Sequence, residues 1–182
     1  MKKAGENSTT IWTVGHSTRP LDEFTSLLIA HDITALVDVR SFPGSRRYPH
    51  FSKSALSQSL PSQGILYTHN AELGGRRRPS ASSKNTAWKN ASFRAYADHM
   101  ESEEFRKGIE ALLGLASSNR VAIMCAEALW WRCHRSLIAD FLKVNGVEVI
   151  HILGNNKSEE HPYTSAARIV EGELSYEGLF KE

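Results

Sequence analysis

Val121-Ala122-Ile123-Met124-Cys125-Ala126-Glu127-Ala128-Leu129-Trp130-Trp131-Arg132-Cys133-His134-Arg135 is the stretch whose reading decides the fold. Four apolar residues run straight into Cys125 and Glu127, the signature of a strand buried on both faces, as in a parallel sheet. A short loop with two tryptophans follows, and a helix is expected to open at Cys133. The first N–H groups of such a helix lack intrahelical partners and face the end of the strand, which makes that end attractive to anions. A thiol, a carboxylate, an imidazole and two guanidiniums therefore gather at one strand-to-helix junction.

Working outward, the same alternation recurs. Ile11 to Gly15 is predicted as a strand ending at His16 and Ser17, and Pro20 with Asp22 and Glu23 opens a helix carrying Phe24, Leu27 and Leu28 at helical spacing. A second strand spans Ile33 to Val39 and ends at Asp38 and Arg40, and a third spans Ile65 to His69. Ser41 to Ser52 holds two prolines and a glycine and reads as loop, and Ser54 to Leu60 as a short helix. Helical patterning occupies Phe93 to Met100, Glu103 to Leu115 and the segment from Cys133 to about Asn145, before a last strand at Val147 to Ile152. Alternation of this kind predicts an α/β fold: a single domain with a mainly parallel sheet of about five strands and helices on both faces. The expected boundaries are a flexible N-terminus at 1–10, the α/β domain at 11–155 with a loop excursion near 79–91, and a C-terminal tail, 156–182, packing on or extending from the domain.

At 182 residues the chain has the length of one domain with a real core. A net charge of +2 is too mild to identify a nucleic-acid binder by itself. No apolar run approaches the roughly 20 residues of a membrane helix, and the first residues lack the apolar core of a signal peptide. Two cysteines are too few for a disulfide scaffold. A cytoplasmic, reducing setting is expected, with the thiols free or metal-bound.

Ligands of parallel α/β sheets sit outside the carboxyl ends of the strands. Each predicted strand ends at a chemically capable residue: His16, Asp38 with Arg40, His69, Cys125 with Glu127, and His151. A single site is the expectation. Glu127, just past a buried strand, needs a partner or a task; Arg132 and Arg135 are its first candidate partners, and general base is its candidate role. His16 is the other acid–base candidate, although Ser17 beside it also reads as a helix cap. Cys125 is a candidate nucleophile or metal ligand, or a buried thiol acting as a small hydrophobe. Cys125, Cys133 and His134 together invite a metal, but their spacing matches no usual structural-zinc pattern. His134, at a helix N-terminus, is a further catalytic candidate, expected to be neutral and hydrogen-bonding.

The arginines indicate the substrate class. Arg40, Arg46, Arg47, Arg76, Arg132 and Arg135 fall in strand-end loops or helix starts, with Arg19, Arg77 and Arg78 nearby. Guanidinium forks match phosphate and carboxylate geometry. Tyr48, Phe51, Trp130 and Trp131 are interleaved with them, as where bases stack beside a phosphate track. Candidate substrate-binding residues are therefore Ser17, Asp38, Arg40, Ser45, Arg46, Arg47, Arg76, Arg132, Arg135 and His151, with a structural ion pair as the alternative for Asp38 and Arg40.

Thr13-Val14-Gly15-His16-Ser17, Leu36-Val37-Asp38-Val39-Arg40, Pro43-Gly44-Ser45-Arg46-Arg47, Leu73-Gly74-Gly75-Arg76, Cys125-Ala126-Glu127, Cys133-His134-Arg135 and His151-Ile152 resemble, in order, the family known as domain of unknown function 488. The resemblance implies an α/β domain and supports these site residues without supplying a reaction. The layout of Asp38-Val39-Arg40 after one strand and Cys125 before a helix is also similar to rhodanese-like domains and cysteine phosphatases. Arg132 lies one position too far from Cys125 for that layout, however, and two tryptophans stand where a glycine-containing loop is needed. The leading expectation is an enzyme with a basic cleft acting on a phosphate-bearing substrate, a nucleotide or nucleic acid. The alternatives are a noncatalytic nucleic-acid-binding module and a metal-binding or redox protein using Cys125, Cys133 and His134. No particular cofactor is implied.

Overall fold

The computed structural model describes residues 8–179. The expected flexible N-terminus falls mostly outside that range; within it, Thr10 already opens the first strand. Strands β1 (Thr10–Gly15), β2 (Ala35–Asp38), β3 (Leu66–His69), β4 (Val121–Cys125) and β5 (Glu148–Gly154) are joined by helices α1 (Leu21–Ala30), α2 (Lys53–Ser59), α3 (Ala91–His99), α4 (Glu103–Ala116) and α5 (Arg135–Val144). The sheet order is β3-β2-β4-β1-β5, all parallel, and β6 (Lys157–Glu160) adds to β5 antiparallel. The α/β sheet covered on both faces is thus as the sequence indicates, with one strand more than expected. That strand belongs to a stretch read as polar tail: all four of its residues are exposed, so it has no apolar alternation to reveal it. Its charges also blunt the sheet edge against further pairing. A separate hairpin, β7 (Arg168–Val170) and β8 (Glu173–Ser175), follows.

Alternation along the strands sorts their side chains into two cores. Trp12, Val14, Leu36, Ala122 and Met124 face Phe24, Leu27 and Leu28 of α1 and Leu56 of α2. Ile11, Ala35, Val37, Val121 and Ile123 face Tyr96 of α3, Phe105, Ile109 and Leu112 of α4, and Leu137, Ile138 and Leu142 of α5. β4 is buried along its whole length between β1 and β2, which is what its continuous apolar run requires. Side-chain oxygens of Ser52, Asn90 and Ser102 cap α2, α3 and α4. Residues 79–90 form no helix or strand, yet Asn85 is buried and donates to Asp98, and Trp88 packs on Phe93 and Tyr176.

The Trp-Trp loop differs from the expectation in one detail that matters. Trp130–Arg132 makes a 3-10 turn, Cys133 is extended (φ −140°, ψ 170°), and α5 begins at Arg135 rather than at Cys133. The turn uses up the residues that would have begun the helix and sends Cys133 back toward Cys125. From β1 the chain passes to the α1 face and from β4 to the α5 face, so the loops after these neighbouring strands diverge and open a crevice. No described helix is long and apolar enough to cross a membrane.

Candidate functional site

The crevice is a cleft of about 530 Å³ at the carboxyl ends of β1, β2 and β4, lined among others by His16, Ser17, Thr18, Arg40, Ser45, Tyr48, Glu127 and Arg132. A second lobe of about 300 Å³ adjoins it across Arg40, Ala126 and Glu127, and reaches Arg76, Cys125, Cys133 and His134. Gly15 makes the junction possible. A Cβ there would lie 1.8 Å from the Glu127 carbonyl oxygen, so only glycine lets β1 pass under the loop after β4. The pairing of β1 with β4 then continues beyond the strands, His16 donating its N–H to the Cys125 carbonyl and Ser17 to that of Ala126, both at 2.9 Å. Ser17 turns there with φ 51°, a left-handed conformation uncommon for a non-glycine residue and frequent at binding sites.

Arg40 is the fixed cation of the cleft. The buried Asp38 carboxylate accepts from Arg40 Nε at 2.9 Å and Nη2 at 2.6 Å, from its backbone N–H at 3.1 Å and from Tyr67 OH at 2.6 Å. Nη2 also donates to the Phe51 carbonyl and Nη1 faces His16 Nε2 at 3.3 Å. A guanidinium carries five N–H donors. These contacts occupy four, leaving one on Nη1. Asp38 is thus consumed in holding Arg40 and does not itself reach a ligand. The alternation of Asp38 and Arg40 on one strand face made this pairing legible; Tyr67 and Phe51 carried no signal, since an exposed-edge strand and a loop aromatic look ordinary in sequence.

His16 lies stacked on Phe51 at 4.2 Å, with Nδ1 donating to the Ser17 carbonyl at 2.8 Å. Burial, reinforced by the Arg40 charge, lowers its pKa from 6.5 to about 4 against the pull of the Ser17 carbonyl. It is therefore neutral near pH 7, with Nε2 turned to Arg40. Ser45 Oγ accepts from the Tyr48 N–H and closes the loop that forms the cleft wall.

Glu127 stands where the sequence places it, exposed on the cleft, but its carboxylate pairs with neither Arg132 nor Arg135. Its backbone carbonyl is what Arg135 binds, at 2.6 Å. Arg135, expected to hold substrate, is instead 1% exposed and points inward beneath the loop. Arg132 lines the cleft, is exposed, and its guanidinium has no hydrogen-bond or ion-pair partner among the described residues. Arg76 borders the second lobe, its guanidinium 5.5 Å from the Phe42 ring centroid. Arg46 and Arg47 are exposed beside the cleft without lining it, Arg47 lying over Tyr48. His134 donates Nε2 to the Val39 carbonyl at 2.8 Å, its ring against Gly75.

His151 departs furthest from its expected position. It sits inside β5, level with Thr13, fully buried and face to face with Trp130 at 4.4 Å. The sequence ends its strand two residues earlier than the structure does, because Gly154 carries the pairing into β6. His151 Nδ1 meets Thr13 Oγ1 at 2.6 Å and Nε2 meets His161 Nδ1 at 2.8 Å, while His161 Nε2 meets Asp140 Oδ1 at 2.8 Å. Asp140, buried on α5, also accepts from Thr164 and Tyr176. A polar Thr13 inside an apolar strand and an Asp140 on the apolar face of a helix were the available signals; His161 and Tyr176, in the polar tail, had none.

Among the described residues no group of three or more His, Cys, Asp or Glu side chains is arranged to hold a metal ion. Cys125, Cys133 and His134 are accordingly not read as metal ligands: His134 turns to the Val39 carbonyl, and the two sulfurs face each other and Arg135.

Comparisons with curated proteins and with solved structures found no match. The family model described as Domain of unknown function DUF488 matches residues 20–142, which hold β2 through β4 and the cleft loops that follow β2 and β4 but not His16–Thr18 after β1, and the chain belongs to that family.

Proposed function

We propose that the chain is an enzyme whose cleft takes a phosphate-bearing substrate of nucleotide size, held between Arg40 and Arg132. The observation that carries this reading is an exposed guanidinium without a partner among the described residues, Arg132, beside a locked one with a spare N–H, Arg40, in a recess at the carboxyl ends of parallel strands. Planar forks of this kind suit phosphate oxygens, and the Ser17, Thr18 and Ser45 hydroxyls add neutral donors. The volume of about 530 Å³ falls in the range of small-molecule sites, roughly 300–1,000 Å³. Phe42, 71% exposed on the cleft wall, offers a ring face to a base.

In this reading Glu127 is the general base, free of internal partners and able to take a proton from a water or hydroxyl attacking phosphorus. Arg132 and Arg40 neutralise charge on the phosphate oxygens as it develops. His16, neutral with both nitrogens engaged, positions Arg40 and performs no proton transfer.

The test is calorimetric titration with nucleoside monophosphates, with inorganic phosphate as the minimal probe. Arg132→Gln is expected to weaken binding by about 10- to 100-fold, the loss of one charge-assisted contact worth roughly 1.5–3 kcal/mol. Glu127→Gln should bind as the wild type does while losing turnover. Equal affinity in wild type and Arg132→Gln refutes the assignment. Binding of oligonucleotides only, falling steeply with salt and spread over Arg46, Arg47 and Arg76, would instead favour a noncatalytic nucleic-acid module.

A further inference from the structure

Arg135 is a buried cation with no carboxylate in contact among the described residues. At 1% exposure, its donors end on Thr13 Oγ1 at 3.1 Å, the Glu127 carbonyl at 2.6 Å, Cys125 Sγ at 2.9 Å and Cys133 Sγ at 3.3 Å. A guanidinium removed from water requires an anion nearby, and among the described residues the sulfurs are the only atoms in contact with it that can become one.

The relay beyond Thr13 does not supply that charge. An arginine can only donate and an ionised carboxylate can only accept. In the row Arg135–Thr13–His151–His161–Asp140, Thr13 Oγ1 accepts from Arg135 and Asp140 Oδ1 accepts from His161 Nε2, with His151 neutral between them. Burial, with the neighbouring His161 and the Arg135 charge, lowers the His151 pKa to about 2, in keeping with this state. Asp140 stands three hydrogen-bonded groups away, already saturated by Thr164 and Tyr176.

The two sulfurs lie 2.9 Å apart, so one donates to the other. Cys133 Sγ is the better acceptor: it also faces the backbone N–H of Arg135 at 3.4 Å, at the N-terminus of α5. Cys125 Sγ has the Glu127 carbonyl as a second acceptor at 3.8 Å, which suits a thiol. Burial pushes the Cys133 thiol up, but the Cys125 hydrogen bond and the Arg135 and His134 groups outweigh it and hold it well below its usual value. Burial pushes Cys125 well above. Both residues border the lobe of about 300 Å³. The charged and titratable groups facing the pair are Arg135, His134, Tyr96, Arg40, Arg76 and Glu127.

We propose that Cys133 and Cys125 form a second reactive site, a thiolate–thiol pair that reduces a small hydroperoxide and closes to a disulfide. The Cys133 thiolate attacks the terminal peroxide oxygen; the O–O bond breaks, and the leaving alkoxide or hydroxide takes a proton from water. Cys133 is left as the sulfenic acid. Cys125 then attacks that sulfur, the S–O bond breaks, and the departing hydroxide combines with the Cys125 proton as water. The two cysteines lose two electrons and the peroxide gains them. The small volume of the lobe and the near-burial of both sulfurs favour a small oxidant over a protein disulfide.

The experiment treats the full chain with hydrogen peroxide at pH 7, follows intact mass and counts thiols alkylated by N-ethylmaleimide. The expected product is lighter by two hydrogens, has neither thiol alkylatable, is restored by dithiothreitol, and forms roughly tenfold faster than free cysteine is oxidised. Cys125→Ser should stop at the sulfenic acid and be captured by dimedone. A wild-type chain that keeps both thiols alkylatable under excess peroxide overturns the proposal without any variant, as does a Cys133→Ser chain that is oxidised as fast as wild type. Neither outcome bears on nucleotide binding by Arg132, so this proposal and the phosphate reading fail separately.

Discussion

Asp38→Asn probes the arginine that both lobes share. The substitution keeps the side-chain shape but replaces one acceptor oxygen with an NH₂ group facing Arg40, whose Nε and Nη2 each lose or contest a bond now 2.9 and 2.6 Å long. Tyr67 OH loses a charged acceptor at the same time. Asp38 is fully buried and Arg40 9% exposed, so water does not replace what is lost. Removing one member of a buried ion pair costs about 3–5 kcal/mol, a large part of the roughly 5–15 kcal/mol available to a domain. With a urea m-value of roughly 2 kcal/mol per M, the unfolding midpoint should fall by about 2 M. Asp38→Asn with Arg40→Met should be more stable than Asp38→Asn alone, because the orphaned charge is gone. Equilibrium urea unfolding followed by tryptophan fluorescence measures both. A single-variant loss under about 1 kcal/mol, or a double variant no more stable than the single one, would show that Asp38 does not hold Arg40 in place.

Two other perturbations address the frame of the cleft. Gly15→Ala would place a Cβ 1.8 Å from the Glu127 carbonyl oxygen, so the loop after β4 must shift and Arg135 loses its acceptor; a destabilisation of at least about 2 kcal/mol is expected by urea unfolding, with weakened nucleotide binding. The depressed His16 and His151 values give a pH dependence. The unfolded chain binds the protons these histidines refuse, so their contribution is complete above about pH 6.5 and is lost as pH falls, through about 4 for His16 and toward about 2 for His151. Stability should then fall by up to about 1.4 kcal/mol per pH unit for each group near pH 5, and His16→Gln should flatten the upper part of that slope.

Much of the fold lay in hydrophobic periodicity. β1, β2 and β4 are buried on both faces, so their apolar runs have no alternative reading, and helices between them compel parallel crossovers. The end of the sheet that carries the cleft followed from strand direction alone, which is why His16, Arg40 and Glu127 line it together. Side-chain direction was not legible. Arg132 and Arg135 look equivalent in sequence, yet the 3-10 turn aims one at solvent and the other under the loop. The polar row behind Arg135 illustrates the same limit, because Thr13 comes from a strand read for its apolar residues and His161 follows the antiparallel β6.

The measurement that bears most directly on the account is a structure of the protein with a nucleoside monophosphate bound. The phosphate is predicted within hydrogen-bonding distance of Arg132 and of the spare Arg40 Nη1 donor, with Glu127 beside it. A phosphate seated on Arg46 and Arg47 outside the cleft, with Arg132 still unengaged, would contradict it.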